Sequence, residues 1–176
     1  PQILRHMDAS GGRNMGRIYR IAPDGFRFNV APRLGDLATV ELVPLLEHAN
    51  AWHRDTASRL IYQRQDRSAV EPLVAMATLS KSALARVIAM YALQGLGALD
   101  PEIVRGALTA EQGHDWVEVR LHALRLVESS PDHPGLREAV RALTDNHEIR
   151  IRYQVAFTMG AFEGDEVMQS LAEIAT

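Results

Sequence analysis

The chain has 176 residues, 47% of them apolar, a formal net charge of −3 and no cysteine. That composition supports one domain-sized core. It excludes a disulfide framework, a cysteine-ligated zinc site, an iron–sulfur cluster, covalently attached haem and a cysteine nucleophile, and it does not locate the protein. Mean hydropathy is −0.12, and no apolar run approaches the roughly 20 residues of a bilayer-spanning helix, so this segment is not expected to insert in a membrane. No signal-peptide pattern opens the chain, and a start at Pro1 without an initiator Met reads as a piece of a longer protein.

Residues 1–35 differ from everything after them. Gly11, Gly12 and Gly16 break up the start, so residues 1–15 read as loop. Arg17-Ile18-Tyr19-Arg20-Ile21 is β-prone, Pro23-Asp24-Gly25 signals a turn, and Phe26-Arg27-Phe28-Asn29-Val30 alternates with period two, which together predict a β-hairpin. A lone hairpin is marginal in water, so it reads as the tail of a preceding β-domain. Pro32 and Gly35 mark its end. The first 33 residues balance at +4 and residues 34–176 at −7. Either the two parts attract each other, or the first is a basic arm for nucleic acid. Such arms are denser in charge, and the acidic remainder opposes phosphate binding.

From residue 36 the period becomes helical and repeats. Aligned on Arg54, Arg86, Arg120 and Arg152, the units are spaced by 32, 34 and 32 residues. Three residues after each Arg stand Ala57, Ala89, Ala123 and Val155, and seven after stand Ile61, Leu93, Val127 and Met159. Three before stand Ala51, Ala83, Val117 and Ile149, so offsets −3, +3 and +7 predict one buried helical stripe. A second amphipathic segment precedes each (Val40 to Glu47, Val70 to Leu79, Pro101 to Leu108, Pro134 to Leu143), with Pro72, Pro101 and Pro134 near helix starts. The expected organisation is helix pairs at 36–66, 67–100, 101–132 and 133–165, with a partial fifth at 166–176 that leaves an uncapped apolar end. The fold class is therefore all-α: a right-handed α-α superhelix of helix pairs behind a short N-terminal β-hairpin tail.

Asp115-Trp116-Val117-Glu118-Val119-Arg120-Leu121-His122-Ala123 resembles the D-x-x-x-x-R-x-x-A core of HEAT repeats, including their PBS-lyase-like subset. His147, Lys81 and Ala49 stand where the other units would carry that Asp. Gly16-Arg-Ile-Tyr-Arg-Ile-Ala-Pro23 ahead of the array, with Asn50 to Ala57 and Leu93 to Asp100 within it, is similar to large bacterial proteins, abundant in planctomycetes, described as membrane-bound dehydrogenases. In that family a β-propeller precedes the HEAT array and a cytochrome c module often follows. The resemblance implies an accessory part of a haem-linked sugar dehydrogenase in the periplasm or cell envelope. It carries over no catalytic or haem residue, because no CxxCH motif is present.

The residues offer little chemistry. His6, His48, His53, His114, His122, His133 and His147 are scattered without a carboxylate at metal-ligand spacing, and no HExxH or G-x-S-x-G occurs. Ser80-Lys81-Ser82 reads as a helix N-cap, and Gly95 and Gly97 as C-terminal caps. The expectation is no catalytic residue, no cofactor and no metal. The informative feature is a solvent stripe at offsets −2, +2, +5 and +9 from each Arg. From it Trp52, Arg59, Leu84, Ile88, Tyr91, His122, Arg125, Gln154 and Phe157 are the candidate face for a protein partner or neighbouring domain. The alternative is that residues 1–35 fold back and cover it. A non-catalytic scaffold is the expected function, with a bilin-lyase-like or nucleic-acid-binding HEAT protein as further alternatives. A bilin lyase needs a chromophore pocket, and a nucleic-acid binder needs more cations than Arg59, Arg125 and Arg150 along the stripe.

Overall fold

The computed structural model describes residues 21–27, 32–110, 116–164, 167–168 and 171–172. It divides into two compact units, Pro1–Pro32 and Arg33–Thr176. In the first, Pro23 to Phe26 form a turn closed by the Phe26 N–H donating to the Pro23 carbonyl at 3.1 Å. Gly25 sits at φ +80°, the left-handed value that a type II turn demands at its third residue. Most of the two strands expected on either side, 17–21 and 26–30, lies outside the described residues. No strand occurs among the described ones.

The second unit is all-helical. Helix α1 (Thr39–Leu42) runs into a 3-10 turn (Val43–Glu47) and pairs with α2 (Ala51–Arg64). A 3-10 turn (Arg67–Ala69) leads into α3 (Val70–Leu79), which pairs with α4 (Ala83–Gly95). Helix α5 (Pro101–Thr109) pairs with α6 (Trp116–Val127), and α7 (Pro134–Arg141) with α8 (Ile149–Met159). Local chemistry sets these bounds. Asn50, Ser82, Asp100 and Glu148 cap the first free N–H groups of α2, α4, α5 and α8 with side-chain oxygens. Pro101 and Pro134 occupy the first helical position, where no N–H is missed.

The second helices α2, α4, α6 and α8 contact one another in order, and the first helices α3, α5 and α7 do the same, giving two helical layers. Their shared core is continuous. At +3 and +7 the prediction and the burial coincide: Ala57, Ala89, Ala123 and Val155, with Ile61, Leu93, Val127 and Met159, are all buried. The alanines allow the layers to approach closely. Offset −3 is a correction. Only Val117 is buried there; Ala51 and Ile149 are exposed and Ala83 is half-buried. Those three are the first residue of their helices, at the mouth of the stack.

The aligned arginines tie each pair at its turn. Arg54 donates to the carbonyls of His48 (2.7 Å) and Ala49 (2.9 Å), Arg152 to that of Asn146 (2.7 Å), and Arg120 to that of Ala110. These carbonyls lie at the end of each preceding segment, in the turn that leads into the second helix. Arg86 differs: it is buried with its guanidinium 4.1 Å over the Trp116 ring, and burial lowers its pKa. Glycine roles also separate. Gly97 (φ +60°) ends α4 in a Schellman motif, with Ala98 N–H on the Leu93 carbonyl at 2.8 Å and Gly97 N–H on that of Gln94 at 2.9 Å. Gly95 is not a cap. A Cβ there would stand 2.8 Å from the Tyr62 ring of α2, so it is a close-approach position between two second helices.

Candidate functional site

The stripe residues of α4, α6 and α8 meet across the second-helix layer in a repeating register. The +5 side chain of one helix reaches the +2 side chain of the next: Tyr91 Oη lies 3.0 Å from His122 Nδ1, and Arg125 Nε donates to Gln154 Oε1 at 3.2 Å. The two rings of the first rung pack edge-on at 5.5 Å. The −2 side chains also meet, Arg150 Nη1 donating to Glu118 Oε1 at 2.7 Å. These contacts follow from helices stacked side by side with equal pitch, which brings equal offsets together at each step.

Across the first turns of α4, α6 and α8 they border an open groove of about 690 Å³. Ala83, Leu84 and Val87 supply its apolar lining, and Lys81, Ser82, Glu118, His122 and Arg150 its polar lining. Leu84 is 50% exposed. Burial and the neighbouring Arg125 hold His122 below its ordinary pKa, against an opposing pull from Glu118. Burial raises Tyr91, with Glu128 adding to it and Arg125 opposing. Both shifts favour the neutral forms, so this rung is a hydrogen bond between a neutral phenol and a neutral imidazole. Arg150 is held charged by hydrogen bonds to Glu148 and Glu118.

Of the nine residues named from sequence, Leu84 and His122 line the groove, while Tyr91, Arg125 and Gln154 form its flanking rungs. Ile88 is half-buried and packs against the core. Arg59 is exposed. Trp52 is 53% exposed and packs edge-on against His53 of its own helix at 5.3 Å. Phe157, at +5, has no following second helix to reach among the described residues; its ring pairs with Tyr153 at 4.8 Å. Lys81 and Val87 were not anticipated. Val87 stands at +1, three residues after Leu84, and helical spacing would have placed the two side by side.

The groove sets exposed Leu84 among polar and charged side chains. Its one hydroxyl, on Ser82, accepts from the Ala85 N–H at 3.2 Å and serves the helix start. Among the described residues no group of three or more His, Asp or Glu could hold a metal ion, and no helix is long and apolar enough to cross a membrane. No protein-family model matches the chain, and no curated protein sequence does either.

Proposed function

We propose that the chain is a non-catalytic helical-repeat scaffold of HEAT type, a right-handed α-α superhelix that docks a protein segment or a neighbouring domain on its second-helix layer. The observation that carries this reading is the groove: exposed Leu84 and the largely buried Val87 beside a neutral His122, bordered by the Glu118–Arg150 pair and Lys81, with no nucleophile-and-base arrangement in its lining. An apolar centre with a charged border is the composition of a recognition surface. The repeat pattern at Asp115 to Ala123 supports the HEAT assignment, and Gly16 to Pro23 ahead of the array supports a place beside a β-propeller in a larger dehydrogenase-like protein.

A photo-crosslinking residue placed at Leu84, compared with the same residue at the exposed Ala75 of α3, tests docking in cells that make the full-length protein. The expected result is one defined adduct from position 84, either to another region of the polypeptide or to one partner, that Tyr91→Ala weakens. Equal or absent crosslinking at both positions rejects the docking face.

A further inference from the structure

We infer that the molecule carries a second binding site, for a small uncharged ring bearing one hydroxyl, at the turns that join α4 to α5 and α6 to α7. A cavity of about 260 Å³, open on one side, lies there. It shares no lining residue with the Leu84 groove. Its apolar lining includes the buried Val104, Leu126 and Leu136, and its polar lining is Gln94, Ser129 and Ser130. Among the described residues, none that lines it is charged.

The repeat register explains the space. Ten residues after the aligned arginines stand Arg64, Leu96, Ser130 and Phe162. Arg64 donates to the carbonyls of Leu37 and Gly35. Leu96 is 2% exposed and belongs to the core. Phe162 packs against the same core, with the Arg137 guanidinium of α7 5.0 Å over its ring. Ser130 is the small one of the four, and it lines the cavity. Where the steps on either side insert an aliphatic or aromatic side chain of their own, this step leaves room for one from outside.

The lining also names the ligand's chemistry. An apolar cavity of roughly 150 Å³ already takes a benzene ring, and ligand sites combine apolar walls with a few placed polar groups. The Ser129 hydroxyl oxygen accepts from Gln94 Nε2 at 2.7 Å, so its own proton is left to donate, and Ser130 offers a second hydroxyl. Neutral hydroxyls beside an apolar wall suit a hydroxyl on a ring. They disfavour an ion, which would lose water without gaining a counter-charge. A space the size of one side chain gives an extended peptide no track to follow, so the ligand is a free small molecule.

Amide chemical-shift titration of the full chain with phenol is the test. Benzoate (a charged ring) and N-acetylphenylalanine amide (a ring carried on a peptide) are the comparisons. The expected result is saturable shifts centred on Gly97, Leu99, Ser129 and Ser130, with both comparison compounds at least about tenfold weaker. Ser130→Leu should fill the cavity, raise the melting temperature by about 2–4 °C and abolish phenol binding. Ser130→Ala, which fills nothing, should bind phenol within about tenfold of the unmodified chain. The proposal is overturned by an absence of saturable shifts, by shifts centred on Leu84 and His122, or by either comparison compound binding as tightly as phenol. A Ser130→Leu chain that melts lower, or that still binds phenol, overturns it as well.

Discussion

Helices α6 and α8 share one register and differ in what lies beyond them. Leu121 and Tyr153 occupy the same offset from the aligned arginines, as do Val117 and Ile149, yet the first of each pair is buried and the second is mostly exposed. Residue type does not account for this, since all four are apolar or aromatic. The neighbour does: α8 covers α6 through Thr158, whose hydroxyl donates to the Leu124 carbonyl at 3.1 Å, and through Gln154 and Arg150. In a stack of repeats, each unit's interior is completed by the next.

The sharpest test of this contrast truncates the matched pair. Leu121→Ala should destabilise by about 2–5 kcal/mol through lost burial and a cavity, whereas Tyr153→Ala, at an exposed side chain, should stay within about 0.5 kcal/mol. Urea unfolding of both measures it, and equal losses would break the comparison. Next comes overpacking. Ala123 is fully buried where α6 meets its neighbours, so Ala123→Leu should cost about 1–3 kcal/mol; an unchanged melting curve would remove the repeat register.

A smaller effect distinguishes His122 from Gln154, which share offset +2. The folded state holds His122 below its ordinary 6.5, first through burial and then through Arg125. The unfolded chain therefore binds more protons below that value. The stability contributed by the neutral imidazole is complete above pH 6.5, falls as pH drops through it, and levels off below the folded-state value. His122→Gln should flatten that slope in melts taken from pH 8 to pH 5, and a slope that persists unchanged assigns it to other groups. The least effect is expected from Glu118→Gln. Its ion pair with Arg150 is solvent-exposed, so thermal melts at low and high salt should barely differ from those of the unmodified chain.

Much of the array is legible from residue pattern because it rests on local rules. The spacing of Arg54, Arg86, Arg120 and Arg152, the small residues at +3 and the apolar ones at +7 repeat with the helical period and mark what must face the core. Ser82 capping α4 and proline opening α5 and α7 depend only on unpaired N–H groups at helix starts. The site is less legible. Trp52 and Phe157 fall on the predicted stripe, yet the groove lies at Leu84, Val87 and His122, where three helices begin side by side.

What escapes the pattern is whatever depends on a neighbour in space. Gly95 looks like a helix-ending glycine, and only the Tyr62 ring from α2 shows that its missing Cβ makes room. The aligned arginines look like half of an Asp–Arg pair, and only the path of the turns shows them holding carbonyls at His48, Ala49, Ala110 and Asn146. Periodicity states which side of a helix is apolar, because side-chain direction follows from the 3.6-residue turn. Whether that side is buried depends on another helix arriving there, which is why Leu121 is core and Tyr153 is surface.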